Sequence, residues 1–298
     1  MRFAITATDR YLGVFNAFVQ AGWEPLKLFT VPFRCDLGNQ QAAIAYAEQH
    51  RAAIQLSRMT ASDLAELRGQ GCEVLIVASY DWKICDWQPF LKYAVNFHAS
   101  PLPEGRGPYP AVRAILENRE SWGISCHRLT QDIDRGDVLA AEEFPLQPYE
   151  CHESLDLKIQ MAAKRLATRV AGQFVELWEQ AKPQDEGSYW KKFQSEESVI
   201  DFQKPIESIM RQIRAFGSIG SLAQMGGTWI VVKRAVAWTE QHNHIPGHVV
   251  HVFNRSAVVA ASDGYIGVLE SDIAMPHVVA ELQAGLNARS QKQMDSDD

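Results

Sequence analysis

A short apolar strand followed by a proline- and glycine-rich elbow occupies residues 93–107, Tyr93-Ala-Val-Asn96-Phe-His98-Ala-Ser100-Pro-Leu-Pro-Glu-Gly-Arg106-Gly107. Asn96 and His98 fall at the carboxyl end of this strand, and residues two apart on a strand share one face. Ligands of open parallel sheets bind outside the carboxyl ends of the strands. The spacing therefore predicts that both side chains face one crevice where a ligand binds.

Three polar residues, Asn96, His98 and Asp134, indicate a functional site only when they are taken together. Alone, an asparagine or histidine at a strand end is most often a hydrogen-bonding loop residue, and Asp134 in Asp134-Arg-Gly136 is typical of a turn. Together they supply an amide donor, an imidazole and a carboxylate, and a carbonyl transfer can use all three. His127 lies seven residues before Asp134 on an alternating strand. We interpret it as a structural histidine beside the site, and the sequence leaves its part in catalysis open.

Apolar periodicity predicts alternating strands and helices in the N-terminal part of the chain. The predicted strands are 2–7, 26–31, 53–56, 74–79 and 93–97, and the predicted helices are 11–21, 40–49, 60–69 and about 109–118. Such alternation favours a mostly parallel, Rossmann-like α/β sheet. No Gly-x-Gly-x-x-Gly follows the first strand, so a dinucleotide is not expected.

The C-terminal part has a different pattern. A strand is expected over 137–144 and a helix over 151–180, followed by a linker, Lys182-Pro-Gln-Asp-Glu-Gly187, that breaks the periodicity. Short strands predicted at 228–237, 248–254, 257–261 and 265–269 are consistent with a small open β-barrel of the OB type. We therefore divide the chain into a catalytic domain (1–182), a C-terminal barrel (187–275) and a tail (276–298). The polar end of the tail, 287–298, is expected to fray.

At these residues the chain resembles the folate-dependent formyltransferases, a family that includes glycinamide ribonucleotide, methionyl-tRNA and nucleotide amino-sugar formyltransferases. The family pattern is an Asn-x-His that ends a strand, then Ser-x-Leu-Pro with a nearby Arg-Gly, and then an Asp-x-Gly loop. In this chain the pattern stands, in the same order, as Asn96, His98, Ser100, Leu102-Pro103, Arg106-Gly107, Asp134 and Gly136. The resemblance implies that 10-formyltetrahydrofolate is the cosubstrate and that no metal is needed.

The resemblance also implies roles for individual residues. Asn96 and His98 would stabilise negative charge on the formyl oxygen, where one positioned donor supplies about 3 to 4 kcal/mol. Asp134 would move the proton that the attacking amine releases. The implied folate-binding residues are Trp82, Lys83, Ile84 and Asp132, and those of the elbow or the substrate site are Ser100, Arg106 and Gly107.

Further along the chain, the segment Ile213-Arg-Ala-Phe-Gly217 narrows the resemblance. It is similar to the segment that introduces the C-terminal domain of methionyl-tRNA formyltransferases and of some amino-sugar formyltransferases. The resemblance thus covers residues 1 to about 275. It is strong at the catalytic motifs and diffuse in the predicted barrel.

Composition limits the class of protein without choosing one. The 298 residues are 46% hydrophobic and 22% charged, ordinary values for a globular protein of about two domains. Five cysteines with no Cys-x-x-Cys and no Cys/His cluster indicate reduced thiols rather than a metal site or disulfides. No apolar run approaches the roughly 18 residues of a membrane span, and Met1 leads into a strand without a signal peptide. A cytoplasmic enzyme without a membrane partner is therefore expected.

The charge distribution bears on the formyl acceptor. The net charge is −7; residues 1–186 carry 19 Lys and Arg against 24 Asp and Glu, and residues 187–298 carry 10 against 12. A tRNA enzyme should present a basic patch for the phosphate backbone. Methionyl-tRNA enzymes also carry a basic loop after the second strand, where residues 32–40 here hold one arginine. We therefore expect a small-molecule amine, such as a nucleotide-linked amino sugar or an amino-acid derivative.

Three alternatives stay open. The chain can be a methionyl-tRNA formyltransferase, a hydrolase that releases formate from formyl-folate, or a folate-binding module without turnover. The hydrolase is disfavoured because such relatives carry a different additional domain, and the binding module is disfavoured because Asn96, His98 and Asp134 are all present. The apolar segment around 273–286 is a candidate contact for a homodimer.

Overall fold

The computed structural model of the protein describes residues 1–32, 40–254 and 256–294. Two units divide the chain. The first comprises Met1–Pro110, Glu120–Leu146 and Asp156–Trp190, and the second comprises Ala111–Arg119, Gln147–Leu155 and Lys191–Asp298. Most of the loop at 32–40, with Cys35, and the last four residues of the tail lie outside the described residues, so the expectations for them stay predictions.

One sheet organises the first unit. Its strands are β1 (Arg2–Ala7), β2 (Glu24–Phe29), β3 (Ala53–Gln55), β4 (Val74–Ala78), β5 (Tyr93–His98), β6 (Ser121–Arg128) and β7 (Val138–Pro145). They lie in the order β3-β2-β1-β4-β5-β6-β7. Strands β1 to β5 pair in parallel, and β6 pairs antiparallel with both β5 and β7. The mostly parallel, Rossmann-like α/β sheet predicted from the sequence is confirmed.

The helices follow the predicted alternation. They are α1 (Leu12–Gln20), α2 (Gln41–Gln49), α3 (Ala61–Gly69), α4 (Pro110–Leu116), α5 (His152–Gly172), α6 (Phe174–Glu179), α7 (Ile206–Phe216) and α8 (Pro276–Met294). Thr60 starts α3 with a capping box, in which its side chain accepts from the Asp63 N–H and the Asp63 carboxylate accepts from the Thr60 N–H. The helix predicted over 151–180 is two helices, separated at Gln173.

Strand β2 begins earlier than the sequence predicts, at Glu24 rather than Leu26. Pro25 stands within the strand, although proline cannot donate to a sheet ladder. In the structure, the pairing of β1 with β2 shifts register between Phe3 and Ala4, opposite Pro25 and Lys27. This irregularity accommodates the proline within the strand.

Strand β5 lies where the direction of the sheet changes. On one side it pairs in parallel with β4, so that Asn96 lies beside Val77. On the other side it pairs antiparallel with β6, so that Asn96 lies opposite His127 and His98 opposite Ser125. The carboxyl end of β5 therefore lies between a parallel neighbour, β4, and an antiparallel neighbour, β6.

An antiparallel sheet organises the second unit. Its strands are β8 (Ser221–Met225), β9 (Thr228–Thr239), β10 (Val249–Phe253), β11 (Ser256–Ala260) and β12 (Gly264–Ile273), in the order β10-β11-β12-β9-β8. Ile209 and Ile213 on α7 are buried in one apolar cluster with sheet residues such as Val232, Ile266 and Val268. Burial of this helix face against the sheet is the main apolar interaction of the unit.

Strand β8 was not predicted from the sequence. Ser221-Leu-Ala-Gln-Met225 has little β propensity, and its strand conformation depends on antiparallel pairing with β9. The turn between the two strands is Gly226-Gly227, and both glycines have positive φ. A two-residue Gly-Gly turn is a hairpin signal that the sequence did contain.

The predicted tail is a helix in the structure. Helix α8 opens with Pro276, which suits a first helical turn, and continues to Met294. The expectation that the chain frays from residue 287 was therefore wrong for residues 287–294, which are helical. Leu282 is fully buried in a cluster with Leu222 and Ala274. Part of the apolar segment offered as a dimer contact therefore packs within the chain. Among the described helices, none combines the length and apolar character that a membrane crossing requires.

Candidate active site

Strands β5 and β6 place three polar side chains side by side. Asn96 and His98 end β5, and the antiparallel register sets His127 of β6 directly opposite Asn96. His127 is 1% exposed, and the side chain of His98 is 11% exposed. The side chains of an amide and two imidazoles thus meet at one end of the sheet.

Asp134 reaches this group from the loop between β6 and β7. Its φ is 56, in the left-handed region that aspartate tolerates better than most residues. Two residues later, a Cβ on Gly136 would lie 1.8 Å from the carbonyl oxygen of Arg128, so only glycine fits. The Asp-x-Gly pattern therefore forms a tight loop that turns the Asp134 side chain towards β5.

The elbow after β5 contributes a backbone donor to the same carboxylate. The N–H of Gly107 donates to Asp134 Oδ2 at 2.9 Å. Gly107 has φ 95, and a Cβ there would lie 2.3 Å from the carbonyl oxygen of Trp190. Glycine is therefore required by its backbone conformation and by the close approach of the chain.

Hydrogen bonds fix the orientation of Asn96. Its Nδ2 lies 3.1 Å from His127 Nε2 and 3.2 Å from Asp134 Oδ1, and it donates one hydrogen to each. The amide therefore links the carboxylate to the buried imidazole. This arrangement needs His127 Nε2 to act as an acceptor.

Backbone carbonyls select the tautomers of both histidines. His98 Nε2–H donates to the carbonyl of Gly105 at 2.9 Å, and His127 Nδ1–H donates to the carbonyl of Arg128 at 2.8 Å. The other nitrogen of each ring, Nδ1 of His98 and Nε2 of His127, lies 3.6 Å from Asp134 Oδ1. Each ring thus presents to the carboxylate the nitrogen that is unprotonated in the neutral tautomer.

The acidities of the group follow from burial and these contacts. Burial raises the pKa of Asp134, but the imidazole of His127, the His98 ring and the N–H of Gly107 outweigh it and lower the pKa to about 2. Burial lowers the pKa of His98, and the charge of Asp134 and the carbonyl of Gly105 offset this only in part. At neutral pH the carboxylate is charged and His98 is neutral.

The group can accept a proton while it offers donors to an oxygen. A proton that arrives on His98 Nδ1 would face the charged Asp134 carboxylate and be stabilised by it. His98 Nε2–H and the Asn96 amide are hydrogen-bond donors beside it, and their acceptors in the structure are the Gly105 carbonyl, His127 Nε2 and Asp134 Oδ1. A carboxylate and imidazole pair next to positioned donors is the arrangement that general acid-base chemistry at a carbonyl uses.

Two residues predicted for the elbow or the substrate lie inside the fold. Ser100 is fully buried, and its Oγ has no hydrogen-bond partner among the described residues. Arg106 is 2% exposed and donates through Nε to Gln184 Oε1 and through a terminal nitrogen to the carbonyl of Asp185, both at 2.9 Å. These contacts brace the elbow.

The predicted folate-binding residues lie in two loops. Trp82, Lys83 and Ile84 belong to the irregular segment that follows β4, the strand beside β5. Trp82 packs edge to face on Tyr80 at 5.2 Å, and Ile84 packs against the apolar core. Asp132 is exposed and lies two residues before Asp134 in its loop.

Sequence reasoning missed the part played by two residues. His127 was set beside the site, yet it contacts Asn96 directly; only the antiparallel register of β5 and β6 reveals this. Gln184 fell in the predicted linker, yet its Nε2 donates to the carbonyls of Asp134 and Gly136 at 2.8 and 2.7 Å. The sequence carried no signal for these contacts of Gln184. Within the described ranges, no group of three or more His, Cys, Asp or Glu side chains could hold a metal ion.

Comparisons with known proteins show the family of this chain. The family model described as "Formyl transferase" matches residues 38–171, and the model described as "Formyl transferase, C-terminal domain" matches residues 192–276. A methionyl-tRNA formyltransferase of Pseudothermotoga lettingae is 30% identical over 210 residues, which cover 70% of this chain and 68% of that protein. Sequence similarity thus extends over both units.

Solved structures share the fold at low sequence identity. An N-formyltransferase of Helicobacter canadensis, in complex with folinic acid and dTDP-3-aminofucose, superimposes with a TM-score of 0.66 at 15% identity, over 91% of this chain and 99% of that chain. HypX of Aquifex aeolicus, in complex with tetrahydrofolic acid, has a TM-score of 0.64 at 17% identity over 92% of this chain. This chain spans 44% of HypX.

The acidity of His98 can be tested without any assumption about activity. Because burial lowers its pKa, the His98 imidazole should titrate below the ordinary histidine value of about 6.5. Asp134→Asn removes the negative charge that raises the pKa of His98, so the pKa should fall further. Heteronuclear NMR of the imidazole resonances across a pH series, assigned with His98→Gln, measures both values. The exposed control Asp86→Asn should leave the titration unchanged, and a wild-type pKa above 6.5 would contradict the assignment.

Proposed function

Because the chain belongs to the formyltransferase family, we propose that it transfers the formyl group of 10-formyltetrahydrofolate to the amine of a small molecule. The observation that carries the proposal is the contact of Asp134 with Asn96, Gly107 and the two histidines at the end of β5. Nucleotide-linked amino sugars and amino-acid derivatives are the expected acceptors. The Helicobacter canadensis protein, whose complex contains an amino-sugar nucleotide, supports this class.

The loop after β4 fits a folate. A pterin is a flat heteroaromatic ring with hydrogen-bonding edges, and the segment that follows β4 offers an aromatic side chain, Trp82, and backbone outside the sheet ladder. Trp82, Lys83, Ile84 and Asp132 are the residues proposed to hold it. When bound, the folate supplies the formyl carbonyl that the amine attacks.

The polar group at the end of β5 then has two tasks. In the structure, Asn96 Nδ2–H donates to Asp134 Oδ1 and His98 Nε2–H donates to the Gly105 carbonyl. The formyl oxygen of the bound folate would replace these acceptors. The two donors would then stabilise the negative charge that develops on this oxygen, worth about 3 to 4 kcal/mol for one donor. As the amine forms its bond to the formyl carbon, the charged carboxylate of Asp134 and the neutral ring of His98 would take the proton that the amine loses. This proton would pass to the folate nitrogen when the bond between that nitrogen and the formyl carbon breaks. His127, which accepts from Asn96, would keep the amide in the orientation that this task needs.

Charge pairing in the second unit supports a small acceptor over tRNA. Lys233 pairs with Asp272 at 2.6 Å, and Arg113 pairs with Glu197 at 2.6 Å. Arg234 and Arg211 also lie within 4 Å of carboxylates, those of Glu270 and Glu207. Basic side chains that already face carboxylates add little attraction for a phosphate backbone.

Methionyl-tRNA is the second candidate acceptor, because the sequence relatives are methionyl-tRNA formyltransferases. One assay separates the candidates. The protein is incubated with 10-formyltetrahydrofolate under three conditions, and the release of tetrahydrofolate is measured in each. The first contains small amines, namely amino-sugar nucleotides, amino acids and hydroxylamino acids. The second contains methionyl-tRNA, and the third contains no amine. Turnover with a small amine supports the proposal. A higher kcat/KM for methionyl-tRNA, release without any amine, or folate binding without release would contradict it.

Three broader expectations belong to the same proposal. The second unit would form an open barrel of the OB type from its antiparallel sheet, the protein would act in the cytoplasm, and two copies would form a homodimer. Sedimentation analysis tests the last of these directly. A monomer at micromolar concentration would contradict the homodimer without affecting the proposed chemistry.

Removal of the proton-handling groups should affect turnover rather than folate binding. His98→Ala and Asp134→Asn are each expected to lower kcat by about 100- to 10,000-fold, because general acid-base transfer typically contributes this much. The dissociation constant for folate should stay within about threefold, since neither residue lies in the proposed pterin loop. The exposed controls His251→Ala and Asp86→Asn should keep wild-type kcat. Near-normal turnover of either active-site variant would refute its role.

Removal of the Trp82 side chain should weaken folate binding and leave turnover nearly unchanged. Trp82→Ala is expected to raise the dissociation constant for folate about threefold to tenfold, because an aromatic contact contributes about 0.5–1.5 kcal/mol. Titration of folate, followed by calorimetry, gives the constant, and kcat at saturating folate should change little. Trp238→Ala, in the second unit and 41% exposed, is the matched control. Equal affinity of Trp82→Ala and wild type would remove Trp82 from the folate site.

A further inference from the structure

Residues 184–190, which we name the strap, lie across both loops that carry the active-site groups. The strap begins two residues after Lys182, which exchanges two backbone hydrogen bonds with Val138 of β7. It ends at Trp190, whose ring stacks on Trp122 of β6 at 5.5 Å. All of these residues belong to the first unit. The strap is therefore anchored to the same sheet as the active site at both of its ends.

Gln184 of the strap uses both ends of its amide. Nε2 donates one hydrogen to the carbonyl of Asp134 at 2.8 Å and the other to the carbonyl of Gly136 at 2.7 Å. Oε1 accepts from Arg106 Nε at 2.9 Å. One side chain thus connects the Asp-x-Gly loop to the elbow. No other residue type supplies two donors and an acceptor at this length, since asparagine is shorter and glutamate lacks the donors.

The rest of the strap holds the elbow. The N–H of Arg106 donates to the carbonyl of Ser188 at 3.1 Å, and the N–H of Trp190 donates to the carbonyl of Arg106 at 2.8 Å. The N–H of Gly105 donates to Ser188 Oγ at 2.8 Å. The elbow in turn presents the Gly105 carbonyl to His98 and the Gly107 N–H to Asp134. A displaced strap would therefore change the surroundings of both groups.

Asp134 depends on such contacts because of its backbone. A non-glycine residue at φ 56 persists only where its surroundings hold it. Gln184 bonds the carbonyl of this residue and that of Gly136, and so it acts on both sides of Arg135. These two bonds fix the loop conformation that aims the carboxylate at β5.

We propose that Gln184 is a positioning residue that holds the Asp134 carboxylate against His98 and the Gly107 N–H. The proposal extends the proposed function, because it assigns a role in formyl transfer to a residue outside the catalytic motifs. Gln184 itself is only half-buried, and its neighbours Pro183 and Asp185 are exposed. Its replacement should therefore change the active-site geometry without unfolding the unit.

The test compares Gln184→Met, which keeps the length but loses the hydrogen bonds, with the control Gln180→Met. Gln180 is exposed, and its side chain contacts Glu176 within one helical turn. The first readout is the NMR titration of His98, which Asp134, His127 and Arg10 all influence. If the carboxylate moves away from His98, the pKa of His98 should fall in Gln184→Met, as it does in Asp134→Asn but by less. This readout needs no enzymatic activity, so it tests the proposal even if no amine is formylated.

The second readout is kinetic. Gln184→Met should lower kcat by about 10- to 100-fold, because a misplacement of about 1 Å can cost this much, while KM for folate stays within about twofold. Gln180→Met should match wild type in both readouts. Unchanged His98 titration and kcat in Gln184→Met would overturn the proposal. Loss of folded protein, seen as a melting transition far below that of wild type, would also overturn it in favour of a structural role.

Discussion

The buried carboxylate of Asp134 is the interaction on which the active site depends. It accepts from the Gly107 N–H and from Asn96, and it lies 3.6 Å from a nitrogen of each histidine. A buried charge is costly unless it is hydrogen-bonded, and these contacts more than offset that cost, because they hold the pKa of Asp134 at about 2. Loops that supply such contacts cannot move independently of the carboxylate. The elbow, the Asp-x-Gly loop and strand β5 are therefore coupled through one side chain.

The change of direction within the sheet makes this arrangement possible. A parallel neighbour, β4, brings the loop with Trp82 to the carboxyl end of β5. An antiparallel neighbour, β6, brings His127 opposite Asn96 and sends the chain directly into the loop of Asp134. A purely parallel sheet would need a long crossover connection at this point. The site thus combines a ligand-binding loop from one kind of strand pair with titratable groups from the other.

Local patterns predicted much of this fold. The bounds of β1 agree with the sequence prediction, and α3 begins within one residue of its predicted start, where Thr60 forms a capping box. Asn96, His98 and Asp134 were identified together because their motifs are short and contiguous. Strand β8 was not identified because its residues have little β propensity, although the Gly226-Gly227 turn that joins it to β9 was a hairpin signal. The role of Gln184 was not identified because its side chain contacts two carbonyls fifty and forty-eight residues away. Contacts of this kind leave no periodic trace in the sequence.

The sequence by itself determined the chemistry of the donor side of the site: the residue types, their order, the glycines that the tight loops require, and the parallel α/β architecture. Each of these follows from local backbone preferences or from spacing along one element. Only the tertiary structure decided which groups touch. Burial made His98 neutral where its carboxylate neighbour alone would favour a charge, and antiparallel register brought His127 to Asn96. Burial and register are properties of the packed chain, because both depend on residues that are distant in sequence.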